Sequence, residues 1–291
     1  MKVIKYFFQY ILILTLFLFF KILGYRIASN FGSIIGRSFG KLFRSEKIII
    51  QNLNYISDYT KKNFNKKELI NEVFSNYGRI LSDYVYLNKF RYGDLKKYVK
   101  IEGNNYLEKI KLEKKRVIFV SGHFGNFELM AMELEKKNIN LAAIYRPLNN
   151  IFLNPMMVYL RKKYICKNQI KKGLMGIRES INYVKKGNSI ALMVDQRVGE
   201  SERCNFFNIP AHTTTITAQL SLKFDLEIVP IYLERKNIDS FIMEICEPIK
   251  INKSDNLEED KKKITIKINE QIEKMVKRNP GQWIWTHSRW K

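Results

Sequence analysis

VIFVSGHFGNFELMAMEL, residues 117–134, sets the architecture: an apolar run, then a polar corner flanked by glycine, then apolar residues at helical spacing. Val117-Ile118-Phe119-Val120 is apolar on both faces, as expected of a strand covered on both sides. His123 then stands at the strand's C-terminal end. Glu128 falls in the first turn of a helix through Leu129, Met130, Ala131, Met132 and Leu134, with Asn126 or a neighbour as its cap. A strand-end imidazole and a first-turn carboxylate can converge. Gly122 and Gly125 permit a tight turn and close approach of a substrate to the backbone. Imidazole suits proton abstraction near neutral pH, and a carboxylate partner fixes its tautomer and stabilises the imidazolium. This describes a general base acting on a hydroxyl, although the spacing equally fits a polar strand-to-helix corner with no chemistry. Histidine is scarce, with His123, His212 and His287 the three in the chain.

Outward from this corner the pattern is α/β. Residues 48–100 read as helical, with Ile70, Val73, Phe74, Tyr77, Ile80 and Leu81 at core-packing spacing. Strands are expected at 116–121, 140–145, 189–194, 227–233 and 241–246, and a helix at 176–186. The alternation implies a mixed, largely parallel central sheet covered by helices. With 291 residues, 46% of them hydrophobic, the chain suffices for one sizeable domain at 26–291.

Residues 1–25 form the remainder, and Tyr6–Leu23 is almost wholly apolar. About 20 such residues cross a bilayer, and Lys21 can snorkel. No small-x-small cleavage site follows, which favours a retained membrane anchor over a signal peptide. Arg26, Arg37, Lys41, Arg44 and Lys47 follow the segment and place the C-terminal domain in the cytoplasm by the positive-inside rule. Gly24, Gly32, Gly36 and Gly40 invite breaks or close packing, so a helix lying in the interface stays open.

The formal net charge of +23 calls for an acidic partner: anionic lipid, nucleic acid or an acidic carrier protein. There is no helix-turn-helix, zinc-finger or stacked-aromatic signature, so nucleic acid is not expected. Lys61-Lys62, Lys66-Lys67, Lys114-Lys115-Arg116 and Lys261-Lys262-Lys263 read as solvated surface. Cys166, Cys204 and Cys246 are widely spaced and odd in number, which argues for a reducing compartment and against a disulfide framework. No metal-ligand spacing is present and none is expected to be needed.

Other candidates follow strands. Arg146, after the strand at 140–145, suits phosphate or carboxylate binding, or a surface ion pair. Asp195 and Gln196 end the run Ile190–Val194, where α/β folds gather polar groups, although Asp195 can equally be a cap. His212 lies among hydroxyl residues that suit a turn. His287 sits with Trp283, Trp285 and Trp290, which fit either a membrane-interface belt or a core-closing strand.

Six blocks, SGHFGNFE (121–128), YRPLNN (145–150), LRKKY (160–164), 173–199, 206–232 and PGQWIWTHSRWK (280–291), together resemble the late acyltransferases of lipid A biosynthesis, within the wider glycerolipid-type acyltransferase superfamily. Glycerol-phosphate enzymes of that superfamily typically end the H-x4-D motif in Asp, so Glu128 favours the lipid A branch. The resemblance implies an enzyme of the bacterial inner membrane that moves a fatty acyl chain from an acyl carrier protein thioester to a hydroxyl of a phosphorylated lipid acceptor, without a cofactor. His123 would be the general base supported by Glu128, Arg161 would contact substrate with Arg146, and Asp195 and Gln196 would belong to the active-site region. A covalent acyl-enzyme is disfavoured, since no Cys adjoins the motif and Ser121 lacks the setting of a nucleophile elbow. The same residues admit a superfamily enzyme acting on another polar lipid or glycolipid. A non-catalytic, membrane-tethered protein binding anionic partners is the alternative of another class.

Overall fold

The computed structural model describes residues 2–60, 65–199 and 201–291, so Lys61-Lys62 lie outside the described residues. The elements are helices α1 (Lys2–Leu23), α2 (Tyr25–Phe43), α3 (Glu46–Thr60), α4 (Lys66–Asp83) and α5 (Leu87–Arg91); strand β1 (Val99–Glu102); α6 (Asn104–Leu112), β2 (Val117–Ser121), α7 (Glu128–Lys136), β3 (Leu141–Tyr145), α8 (Leu153–Leu160), β4 (Asn168–Lys171), α9 (Leu174–Lys185) and β5 (Ser189–Met193); the hairpin β6 (Arg203–Phe206) and β7 (Ile209–His212); and α10 (Ile216–Phe224), β8 (Glu227–Arg235), β9 (Phe241–Ile245) and α11 (Leu257–Arg278).

One sheet has the order β1-β9-β8-β2-β5-β3-β4. Its pairs are parallel except for the antiparallel β8–β9 pair, as expected of a mixed, largely parallel sheet. The alternation along β2 explains its continuous apolar run. Ile118 and Val120 join a core layer with α3, α4, α10 and α11, and Val117 and Phe119 join a second layer with α5, α6 and α7. The expected strands are present. The short strands β1, β4, β6 and β7 were not foreseen, and β1 begins inside the span read as helical, because four-residue strands leave too few apolar positions for a period.

α1 is not a free appendage. The Asn150 side-chain amide donates to the Tyr6 carbonyl (2.8 Å), Phe7 meets the Phe152 ring (5.6 Å), and the Tyr86 hydroxyl donates to the Phe20 carbonyl. Those contacts run along about 21 Å of helix at about 1.5 Å per residue. Its other sides, with Phe8, Leu12, Leu18 and Ile22, remain exposed. After the break at Gly24, α2 packs on α4 through Gly32 and Gly36 against Gly78, where any added Cβ would collide with the facing backbone. Close packing is therefore the use of these glycines. The opposite face of α2 exposes Ile27, Phe31, Ile34, Leu42 and Phe43.

The C-terminal tryptophans form neither an interface belt nor a strand. Trp283, Trp285 and Trp290 are buried in the first core layer, held by 3₁₀ and irregular backbone from Pro280 onward. The indole N–H groups of Trp285 and Trp290 donate to the carbonyls of Pro280 and Phe206, so both rings are satisfied inside the protein.

Candidate active site

The site lies outside the C-terminal ends of the parallel strands, beside β2, whose neighbours β5 and β8 leave in opposite directions along the sheet. Strand register assembles it. Ser121 of β2 pairs with Met193 of β5, and the Val194 N–H donates to the Ser121 carbonyl (2.9 Å). His123 and Asp195, each two residues further on, are thereby adjacent. Asp195 Oδ1 contacts His123 Nδ1 (2.7 Å), while Asp195 Oδ2 accepts from the His123 backbone N–H (2.8 Å) and from Trp283 Nε1–H (2.8 Å). Phe127 packs edge-on to the imidazole at 4.6 Å between centroids.

Burial pushes the Asp195 carboxyl up, but the charge of His123 and the hydrogen bonds from His123 and Trp283 outweigh it and hold it below the usual carboxylate range. A carboxylate on Nδ1 places the imidazole proton there and leaves Nε2 as the basic nitrogen.

Glu128, the expected partner of His123, is engaged elsewhere. Its Oε1 accepts from Arg161 Nε (2.9 Å) and Nη2 (2.5 Å) and from the Tyr84 hydroxyl, and it makes no hydrogen bond to His123. The reason is local backbone. Gly125 turns at φ +49°, and Phe127, not Asn126, is the residue before α7, so Glu128 leaves the corner toward α4 and the segment after α8. Asn126 instead sends its side-chain amide to Asp83 Oδ2 (3.0 Å), and Arg235 at the end of β8 ion-pairs with the same carboxylate. This buried network fixes the corner from beneath. Burial draws the Arg161 guanidinium down, yet Glu128 and Tyr84 outweigh it and keep its pKa above the usual value.

Arg146 is exposed beyond the end of β3, and Gln196 is half-buried beside Asp195 without a hydrogen bond among the described residues. His123, Asp195 and Gln196 are thus brought together at one pair of strand ends, and Glu128 and Arg161 form a separate buried pair. His287, which sequence alone left unplaced, joins the site: its Nε2 accepts from the Arg197 N–H (2.7 Å). Burial lowers its pKa to about 4, opposed by Asp195 and reinforced by Arg289, His123 and Arg146, so the ring is neutral at physiological pH. His212 is structural, with Nδ1 on the Ser201 carbonyl (2.7 Å). Among the described residues, no group of three or more His, Cys, Asp or Glu could hold a metal ion.

Tyr84, Asp83, Arg235, Trp283 and His287 are the participants that sequence reading missed. A signal existed for two of them: Asp83-Tyr84 follows the apolar face of an amphipathic helix, where a carboxylate that becomes buried demands partners.

The sequence model described as bacterial lipid A biosynthesis acyltransferase matches residues 1–291. The chain is similar to a lipid A biosynthesis palmitoleoyltransferase of Escherichia coli (strain K12) and a lipid A biosynthesis acyltransferase of Shigella flexneri. Each is 26% identical over 204 residues, 68% of this chain and 63% of the relative. A lipid A biosynthesis acyltransferase of Haemophilus influenzae is 22% identical over 193 residues, 66% of this chain and 58% of the relative. The matched stretch therefore spans less than two thirds of the curated relatives' length.

Proposed function

The chain belongs to the bacterial lipid A biosynthesis acyltransferase family, and from that premise we propose that it transfers a fatty acyl chain from an acyl carrier protein thioester to a hydroxyl of a phosphorylated lipid A precursor. The observation that carries the chemistry is the His123 Nδ1 contact to the buried Asp195 carboxylate. His123 Nε2 takes the proton of the acceptor hydroxyl as its oxygen attacks the thioester carbonyl. The tetrahedral intermediate then collapses, the C–S bond breaks, and the imidazolium returns its proton to the departing thiolate. Asp195 orients the ring and offsets its charge. Glu128 is a positioning residue that holds Arg161, and Gln196 and Arg146 meet substrate. The reaction uses the thioester as co-substrate and no further cofactor or metal.

Membrane attachment is part of the same proposal. Residues 1–25 act as the anchor and 26–291 as the acyltransferase domain, seated against the cytoplasmic face of the inner membrane. α1 is the one described helix long and apolar enough to cross a membrane. The exposed apolar face of α2, flanked by Arg37, Lys41 and Arg44, supports contact with acyl chains and anionic headgroups around it.

The test incubates detergent-solubilised protein with acyl carrier protein thioesters of several chain lengths and a tetra-acylated, phosphorylated lipid A precursor, and reads products by mass spectrometry. A gain of one acyl group that is lost in His123→Ala supports the assignment. Full activity in His123→Ala removes the base, and no product with any donor turns attention to other polar-lipid acceptors.

A further inference from the structure

Beside the His123–Asp195 pair lies a cavity of about 390 Å³ whose lining includes Arg146, Arg197, His287, Ser288 and Lys291. We propose that this cavity is a phosphate-binding site, taking a phosphate group carried by one of the two substrates; the proposal rests on the acyl-transfer reading above. Its walls supply three cations, and among the described residues no carboxylate lies within ion-pairing distance of Arg146, Arg197 or Lys291. Their charge is thus available to an anionic ligand.

Arg197 is the residue that distinguishes the cavity from ordinary basic surface. Its Nε–H is buried and has no hydrogen-bond partner among the described residues, a state that costs free energy until an acceptor arrives. Its backbone N–H is spent on His287 Nε2, which leaves the Nδ1–H of that neutral ring as a donor with no partner in the described chain. A phosphate accepts several charge-assisted hydrogen bonds at once, matching a guanidinium, an imidazole N–H and the Ser288 hydroxyl. The cavity also adjoins the chemistry: Arg197 follows Asp195 by two residues in the chain, and His287 feels the charges of both Asp195 and His123. The substrates of acyl transfer carry two such phosphates, one on the sugar of the acceptor and one in the phosphopantetheine arm that carries the thioester, and the experiment below tells them apart.

Steady-state kinetics of the full chain in detergent separates the two sources. Wild type, Arg197→Gln and Lys291→Gln are compared on acceptor with and without its phosphate, and on the carrier thioester against a phosphate-free N-acetylcysteamine thioester. Loss of one hydrogen bond to a charged group is expected to raise KM about 10–100-fold for the one substrate whose phosphate occupies the site, with kcat nearly unchanged. The phosphate-free analogue of that substrate should be indifferent to the substitutions. Unchanged KM for every substrate, or an equal rise for the phosphate-free analogues, overturns the site. Binding of inorganic phosphate, followed by tryptophan fluorescence, needs no turnover. Weakening in both variants without acyl transfer by wild type upholds the cavity while the reaction assigned above fails. Transfer by wild type with equal phosphate binding by all three proteins does the reverse. Lys291→Gln, at an exposed position, guards against a folding defect in Arg197→Gln.

Discussion

Asp195 is fully buried with three donors on its carboxylate, so Asp195→Asn keeps the volume while presenting an amide that no longer fixes the tautomer of His123 or stabilises its imidazolium. Turnover is expected to fall about 10²–10⁴-fold, with KM little changed, in an acyl-transfer assay; a variant of normal kcat would remove Asp195 from the mechanism. The Glu128–Arg161 pair makes a different prediction. Both side chains are nearly excluded from solvent, at 8% and 12% exposure, so Arg161→Ala leaves an uncompensated buried charge. A loss of about 3–5 kcal/mol is expected in chemical denaturation, and Glu128→Gln in the same chain should restore part of it. Additive losses in that cycle would show that the pair is not coupled. At this scale the sequence named both carboxylates, but it is Asp195, not Glu128, that contacts the His123 ring. Glu128 is five residues from His123 along the chain and Asp195 is seventy-two away, and only the strand register makes the distant one the neighbour.

Helix elements were more legible, because amphipathic periods and glycine breaks are local. The contact between α2 and α4 depends on three glycines that let two backbones touch, and an added methyl at Gly78 meets the Gly32 carbonyl. Gly78→Ala is therefore expected to lower stability by about 1–3 kcal/mol, read as a fall in Tm, despite the higher helix propensity of alanine. A rise in Tm would mean that the helices separate without cost. The short strands β4, β6 and β7 were illegible for the opposite reason: their pairing partners, not their own sequences, make them strands.

For the molecule as a whole, pH and the membrane supply the tests. His287 has a folded-state pKa near 4 against an ordinary 6.5, so the unfolded chain takes up its proton first as pH falls. Its contribution is complete above about pH 6.5 and is lost progressively toward about pH 4. Thermal denaturation should show that decline in wild type and less of it in His287→Gln; parallel curves would refute it. The exposed apolar faces of α1 and α2 should keep the protein in the membrane fraction at about 1 M salt, where charge attraction is screened within about 3 Å, and release should need detergent. Release by salt alone would point to lysine and arginine as the sole attachment. The sequence by itself determined the layered α/β architecture, the apolar N-terminal helix and His123 as the residue to watch, because burial patterns and strand-end positions are written in neighbouring residues. Only the tertiary structure decided that Asp195 and Trp283 hold His123, that Glu128 turns away to Arg161 and Tyr84, and that His287 and Arg197 enter the site. Those contacts join residues far apart in the chain, and sheet register and helix packing, not spacing, bring them within hydrogen-bond reach.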